Sequence, residues 1–430
     1  MGPSVRLGLL GCGVVGSGVV RILRENAEMI ATRAGGPVVL TRVAEPQCEK
    51  ARALGLSDDL LADGMAVVTS PDVDVVVECI GGVGPARELA TAAIQAGKSV
   101  VTPNKELIAK HGNELLALAD THAIDLRFEA SVGAGIPIIR PMKEHYPADS
   151  ITSVLGIVNG TTNYILTMMS GRGTPFAEAL ADAQAQGYAE PDPTSDISGN
   201  DAAYKLGILA SIAFGRSVSV EGVSREGIER IHPRDIEAAD ELGYVIKLLA
   251  IGKRREDGRV EVRVHPTMVP KHHPLTAVNG VANAVFITSK YTGDVMLYGP
   301  GAGPLPTGNA ILGDVIEVAR NLRCGATGRV PHVCASSADV VPLDETVCGH
   351  YMRLVAPDRP GVLGAIATVL GQNGVSIDSV YQKHAEGGQA EIVWVTHPGP
   401  ERNFRQAIEA IRPLDVVADI PNTIRVETTL

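Results

Sequence analysis

Between Gly187 and Asp201 the chain reads Gly187-Tyr188-Ala189-Glu190-Pro191-Asp192-Pro193-Thr194-Ser195-Asp196-Ile197-Ser198-Gly199-Asn200-Asp201, and Lys205 follows. Four carboxylates thus stand ahead of one lysine. If Gly199 begins a helix, Asp201 and Lys205 are one turn apart on the same face, and the carboxylate can orient the ammonium toward a substrate. A lysine whose pKa is lowered by desolvation serves as a general acid. The plain alternative is an acidic helix start with a surface ion pair. Against it, Ala202, Ala203, Leu206, Gly207, Leu209 and Ala210 make the following helix almost wholly apolar.

Gly11-Cys12-Gly13-Val14-Val15-Gly16 fits the G-x-G-x-x-G pattern, with an apolar run before it and a helical pattern through Leu23 after it. Glycines there permit a tight turn and let backbone N–H groups meet a pyrophosphate, so a nicotinamide dinucleotide is expected. Glu45, at the end of the second apolar run, and Arg42 beside it both stand where a ribose would be read. An acid there favours NAD and an arginine NADP, and the choice stays open. Thr102-Pro103-Asn104-Lys105 follows another strand-like run, which puts Lys105 at the carboxyl edge of a sheet, facing substrate or cofactor or simply solvated. In Glu129-Ala130-Ser131-Val132-Gly133-Ala134-Gly135-Ile136-Pro137, a glycine-rich turn could converge carbonyls with the Glu129 carboxylate. Such oxygen ligands suit a hard cation, although a turn with no ion is the commoner arrangement.

The remaining candidates are weaker. His272 and His273 are adjacent and have no zinc-ligand spacing, so no transition metal is expected. The six cysteines (Cys12, Cys48, Cys79, Cys324, Cys334, Cys348) form no CxxC pair and stand in no nucleophile motif, which disfavours covalent catalysis and suits a reducing cytoplasm. Asn159-Gly160-Thr161 is a glycosylation sequon that reads as a polar turn in such a compartment.

Positioning these residues requires several domains, and 430 residues are enough for two to four. The first third alternates apolar runs (Val5–Leu10, Val38–Ala44, Ala66–Thr69, Val73–Ile80, Ser99–Thr102) with helical patterns, implying a doubly wound parallel sheet. From about Ile151 longer strands (Ile151–Val158, Val260–Pro266, Ala284–Thr288) and helices near Phe176–Gln186 and Gly199–Phe214 indicate an α+β domain. A Gly/Pro-rich stretch, Gly299–Gly308, precedes a helix at Ile311–Leu322 that can pack back on the first domain. Residues 324–350 show no periodicity and read as a linker. The last eighty residues follow a β-α-β-β-α-β order. The expected fold class is therefore α/β: a Rossmann-type domain at 1–133 with 308–325, an α+β domain at 134–307, which the resemblance given next makes the substrate and dimerisation domain, a linker at 326–349 and a small binding or regulatory module at 350–430. A net charge of −11 disfavours nucleic acid and anionic membranes, and no apolar stretch reaches membrane-spanning length.

Taken together, these residues resemble homoserine dehydrogenases. The segment Gly187 to Lys205 is similar to that family's signature. Gly11–Gly16, Thr102–Lys105, Glu129–Pro137, Gly156–Asn163 and Gly299–Gly303 with Pro306-Thr307 look like its other motifs in the same order, covering about residues 5 to 320. Asp358-Arg359-Pro360-Gly361-Val362-Leu363 and Asn373-Gly374-Val375 resemble ACT domains, which sense amino acids. The resemblance implies reversible NAD(P)-dependent reduction of L-aspartate 4-semialdehyde to L-homoserine, in threonine, methionine and isoleucine biosynthesis. By it, Lys205 exchanges a proton with the substrate oxygen and Asp201 orients it. Glu190 holds the substrate amino group, with Asp196 and Lys105 also on the substrate side. Gly11, Gly13, Val14, Val15, Gly16, Lys105, Gly187 and Gly303 line the dinucleotide. Glu129 with the carbonyls of Val132, Ala134 and Ile136 binds sodium. A homodimer or higher homo-oligomer, and threonine as effector of the tail, are also implied. Two departures stand out: Val43-Ala44-Glu45 where relatives often carry arginine, and Thr307-Gly308-Asn309 in place of a small-residue run.

Two other readings compete. An aspartate-semialdehyde dehydrogenase needs a cysteine nucleophile, and none is suitably placed. A non-catalytic sensor has no need of the Asp201 and Lys205 pair.

Overall fold

The computed structural model describes residues 2–332, 334 and 336–427. They form two compact units, Met1–Val154 with Tyr204–Glu221 and Asn283–Ala338, and Leu155–Ala203 with Gly222–Ala282 and Asp339–Leu430.

The first unit is built on a five-stranded parallel sheet in the order Val38–Ala44, Val5–Leu10, Val75–Glu78, Ser99–Val101, Leu126–Arg127. Its central strands are apolar on both faces because helices cover both. The chain moves left from the first strand to the second and then returns to the right, so the order reverses beside Val5–Leu10. Ligands bind outside the carboxyl ends of the strands at such a switch point. Helix Val14–Glu25 follows the first strand, and helix Pro304–Cys324 packs across it within one core that includes Leu7, Val19, Ile311 and Val315. The crossing requires small residues: a Cβ at Gly18 would lie 2.1 Å from the Pro304 carbonyl oxygen, and one at Gly308 2.9 Å from the Gly18 carbonyl carbon.

Two expectations for this unit need correction. Ala66–Thr69 is not a strand but part of helix Gly64–Thr69, started by Asp63, whose carboxylate accepts the Ala66 N–H at 2.9 Å. The run was too short for periodicity to separate strand from helix, and the capping aspartate was the decisive signal. The helix expected at Ile311–Leu322 begins at Pro304, because a proline is tolerated in the first turn, where its missing N–H has no partner to lose.

The second unit contains the antiparallel pair Tyr244–Arg254 and Val260–Pro270, with helices Gly160–Arg172, Phe176–Ala185, Thr194–Ile197 and Pro233–Glu241. Its tail has the expected β-α-β-β-α-β order: Val347–Pro357, Val362–Gln372, Ile377–Glu386, Gln389–Thr396, Glu401–Ile411 and Asp419–Val426. Met352, Ile366, Trp394 and Phe404 help to fill the tail's core. Its last strand runs parallel to Val260–Pro270, pairing Arg425 with Thr267 and Val426 with Met268, so the tail sheet continues the sheet of the preceding domain. The stretch read as a linker makes backbone bridges, Ser337 to Ser217 and Val340 to Val260. Its residues 333 and 335 lie outside the described residues. Among the described residues no helix is long and apolar enough to cross a membrane.

Candidate active site

Helix Asn200–Phe214 carries Asp201 in the second unit and Lys205 in the first, four residues apart. It starts after Gly199, which takes φ 82°. That left-handed turn favours glycine and ends the preceding short helix sharply. Lys205 is 9 % exposed and Asp201 2 %.

In the first unit, Lys205 lines a cavity of about 480 Å³ together with Gly13, Val14, Val15, Lys105 and Ala134. These sequence-selected residues therefore converge at the switch point of the sheet. Gly11 and Gly16 shape the turn behind it. Gly11 has φ 95°, and a Cβ on Gly16 would fall 2.1 Å from the Gly11 carbonyl oxygen. Helix Val14–Glu25 begins at Gly13 with no side-chain cap and no acid in its first turn, and nothing lies within 4 Å of a Cβ built on Gly13. An uncapped helix N-terminus opening on a cavity is the cradle a pyrophosphate needs.

Lys105 is the first residue of helix Lys105–Thr121. Asn104 caps that helix, accepting the Leu107 N–H at 3.0 Å and donating to the Gly82 carbonyl at 2.7 Å. Glu78, which the sequence reading passed over, ties these loops together. Fully buried, it accepts from the Ile80 N–H at 2.6 Å and the Thr102 hydroxyl at 2.6 Å. A carboxylate ending the run Val75-Val76-Val77 was the available signal.

Glu45 reaches back to the glycine turn: Oε2 accepts the Cys12 N–H at 2.7 Å and Oε1 the Gln47 N–H at 3.0 Å. Arg42 is paired with Asp72 at 2.8 Å. Burial, followed by the Glu45 charge, pushes the Cys12 thiol up to about 11, so it is not a ready nucleophile.

Glu129 serves a purpose not anticipated from the sequence. Its Oε1 accepts the N–H groups of Ile138 (2.5 Å) and Ile139 (2.9 Å), and Oε2 that of Arg140 (2.7 Å), holding the start of helix Ile139–Glu144. The carboxylate thus accepts three amide donors, two on Oε1 and one on Oε2. The carbonyls of the Val132–Ile136 turn are further oxygen donors there. Gly303, with φ 118°, is the residue before helix Pro304–Cys324; its neighbours Gly301 and Ala302, and Thr307, line the Lys205 cavity.

In the second unit, the side-chain nitrogen of Asn159 donates to Asp196 at 2.7 Å and to Asp201 at 2.9 Å, and the Thr161 hydroxyl donates to Asp196 at 2.9 Å. Asn159 also caps helix Gly160–Arg172 and is buried, which excludes glycosylation of the folded chain there. Glu190 and Gly187 lie on an exposed segment, where Gln184 holds the Glu190 carbonyl at 3.2 Å.

Three family models match the chain: "Homoserine dehydrogenase, NAD binding domain" over residues 11–129, "Homoserine dehydrogenase" over 137–316 and "ACT domain" over 350–415. The homoserine dehydrogenase of Neisseria gonorrhoeae is 43 % identical over 430 residues, 99 % of each chain. The crystal structure of a homoserine dehydrogenase from Thiobacillus denitrificans superposes with a TM-score of 0.93 at 42 % identity, covering 99 % of this chain and 98 % of that one. A hyperthermophilic archaeal homoserine dehydrogenase in complex with NADPH matches 74 % of this chain and 98 % of its own, with a TM-score of 0.63 at 28 % identity.

Proposed function

The chain belongs to the homoserine dehydrogenase family, and we propose from that premise how its own residues carry the chemistry. The reaction is the reversible NAD(P)-dependent oxidation of L-homoserine to aspartate 4-semialdehyde, a step of amino-acid biosynthesis. The observation that carries the assignment is a buried lysine sharing one cavity with an uncapped glycine-turn helix.

The nicotinamide, when bound, accepts or returns the hydride. Gly11, Gly13, Val14, Val15 and Gly16 hold its pyrophosphate, with Gly187 and Gly303 completing the dinucleotide cleft. In oxidation, the neutral amine of Lys205 takes the hydroxyl proton as the carbonyl forms. In reduction, its ammonium returns that proton to the developing alkoxide, an interaction that strengthens only as charge develops and therefore lowers the barrier. Asp201 orients Lys205. Glu190 pairs with the substrate ammonium, and Lys105 and Asp196 complete the substrate side.

Glu45 favours NAD over NADP: a carboxylate fixed on the Cys12 amide at the end of the second strand repels a ribose 2′-phosphate, and Arg42 is turned to Asp72. Sodium, if supplied, would be held by Glu129 with the carbonyls of Val132, Ala134 and Ile136, and a rate unchanged between sodium and choline salts would exclude it. Residues 1–133 with 308–325 bind the dinucleotide, 134–307 bind substrate and form a homodimer, and the tail beyond the 326–349 connection responds to an amino-acid effector, threonine first. Six free thiols suit the cytoplasm.

Steady-state oxidation of L-homoserine with NAD and NADP in parallel tests the proposal. Reduced nicotinamide should accumulate with both and faster with NAD at low cofactor concentration. Folded protein that binds dinucleotide yet turns over neither pair would refute it.

A further inference from the structure

The first strand of the tail, Val347–Pro357, carries Cys348 and His350 two residues apart, so both side chains leave the same face. Helix Glu401–Ile411 brings Glu401 to them. The Cys348 Sγ lies 3.7 Å from His350 Nε2 and 3.7 Å from Glu401 Oε2, and those two atoms are 2.9 Å apart. Among the described residues this is the one place where three such ligand atoms converge, and all three residues are buried. Local spacing could not disclose it, because 53 and 51 residues separate Glu401 from the other two. The want of ligand spacing at His272, His273 and the cysteines therefore says nothing of this group.

The backbone holds the triangle in place. Val347 pairs with Pro400 and Cys348 with Gly399, and the Glu401 N–H donates to the Thr346 carbonyl at 2.9 Å. The His350 N–H donates to the Thr396 hydroxyl at 2.9 Å, and its ring stacks on Phe404 with centroids 3.9 Å apart and planes 8° from parallel. Arg425 forks on Glu401 through Nε and Nη2 at 2.9 and 2.6 Å, which fixes the plane of the carboxylate. Metal ligands are oriented by outer partners of this kind. Arg425 also pairs with Glu226 at 2.8 Å, and Arg263 with Glu427 at 2.5 Å, where Lys253, a quarter exposed, joins at 2.9 Å. Glu226 and Glu427 thus balance the two guanidinium charges.

Burial holds the His350 imidazole below its ordinary value, against the pull of Glu401, so the neutral ring has a lone pair to offer. Burial acts to raise the Glu401 carboxyl, but the hydrogen bonds from His350 and Arg425 outweigh it and keep the group ionised. Burial pushes the Cys348 thiol up to about 12, so it stays protonated until a metal displaces the proton.

We propose that Cys348 Sγ, His350 Nε2 and Glu401 Oε2 form a zinc site, with water from an adjoining cavity as the fourth ligand. Tetrahedral bonds of the usual lengths put sulfur about 3.5 Å from the nitrogen and the oxygen, and those two about 3.4 Å apart. Both sulfur edges match, and the third is shorter because a hydrogen bond spans it. On binding, the ion takes the Nε2 and Oε2 lone pairs that this hydrogen bond uses. The imidazole keeps its one proton on Nδ1, and the thiol proton leaves to solvent. Thiolate and carboxylate then supply two negative charges for the dication, while Oε1 stays on Arg425. A thiol and an imidazole disfavour magnesium and calcium. His350, Glu401 and Arg425 line the cavity of about 260 Å³ that admits ion and water. The ion clamps the first strand of the tail to its second helix. The site stands whether or not Lys205 transfers the proton.

The test uses the full chain, stripped of metal by a chelator. Zinc added in competition with a chromophoric chelator should bind at one equivalent per chain. X-ray absorption of the zinc-loaded chain should show one sulfur at about 2.3 Å, with nitrogen and oxygen at about 2.0–2.2 Å. Cobalt in place of zinc should give a thiolate-to-cobalt charge-transfer band and the intense visible bands of a tetrahedral site. Cys348→Ala should lose that charge-transfer band, and His350→Gln should bind zinc about 100-fold more weakly or worse, since outer partners alone are worth 10–100-fold. Cys324→Ala, which removes an exposed thiol, should change neither. If Cys348→Ala does not fold, the zinc shell of the wild type decides. No stoichiometric binding, a shell with no sulfur or with more than one, or a charge-transfer band that survives Cys348→Ala would overturn the site.

Discussion

The side-chain amide of Asn159 donates to Asp201 at 2.9 Å across 42 residues of sequence, and the same nitrogen reaches Asp196 at 2.7 Å. One donor thus fixes two carboxylates that flank the start of the lysine helix. Asn159 is also the cap of helix Gly160–Arg172, so replacing it by alanine mixes two effects. Serine separates them, because its hydroxyl can still cap but is too short to bridge both acids. Asn159→Ser should keep its melting temperature within a few degrees and lose roughly 10–100-fold in kcat/KM for homoserine, since misplacement by about 1 Å costs on that order. A fully active Asn159→Ser enzyme would make the bridge structural only.

The proposed preference for NAD rests on Glu45. Removing its charge in Glu45→Ser should lower kcat/KM with NAD and raise it with NADP, shifting the ratio by about tenfold or more, since the change removes repulsion of a phosphate and a ribose acceptor together. Parallel kinetics with both dinucleotides measure this ratio. An unchanged ratio would confine Glu45 to holding the glycine turn.

Asp314 supplies a pH dependence of known sign. Burial raises its carboxyl to about 7 from the ordinary 3.8, while the Glu129 N–H it accepts acts in the opposite direction. The folded chain then holds this proton more tightly than the unfolded chain. The resulting stability is complete below the unfolded value and is lost as pH rises through the folded one. Asp314→Asn lacks this loss. Its melting temperature should therefore gain on the wild type between pH 5 and pH 8 by several degrees, at roughly 2–4 °C per kcal/mol for domains of 150–250 residues. Melting curves that run parallel across that range would contradict the shift.

Lys247 is buried in the strand Tyr244–Arg254 with three oxygen acceptors: the Val278 carbonyl at 2.6 Å and the side chains of Asn163 and Asn279, each at 3.1 Å. Burial lowers its ammonium to about 8. Lys247→Met fills similar space but strands these acceptors, and should cost about 2–4 kcal/mol in chemical unfolding. A loss below 0.5 kcal/mol would mean that water replaces the ammonium.

These residues also show where sequence reading succeeds and where it fails. Val5–Leu10 and Val38–Ala44 end where they were expected to, because both are apolar runs closed by turn residues. The tail's order was legible for the same reason. Tyr244–Arg254 was missed because Lys247 interrupts its apolar run, and the acceptors that justify a buried lysine come from Asn163, 84 residues before it, and from Val278 and Asn279, about thirty residues after it. In the site, the glycine turn, Lys105 and Lys205 were legible because the chemistry resides in local spacing. Asn159 read as a polar turn, since its role depends on partners 37 and 42 residues on. Glu129 stood out as an acid in a glycine-rich turn. That its carboxylate would go to three amides of the next helix was not written in any local pattern.

Proton transfer by Lys205, with the cofactor held by the glycine turn, is read out by the initial rate of L-homoserine oxidation in the wild type and in Lys205→Ala, measured beside dinucleotide affinity for each. Loss of a lysine acid/base should lower kcat by about 10²–10⁴-fold and leave the dinucleotide dissociation constant within a fewfold. A variant that turns over at near the wild-type rate, or one that loses cofactor affinity in equal measure, would contradict it.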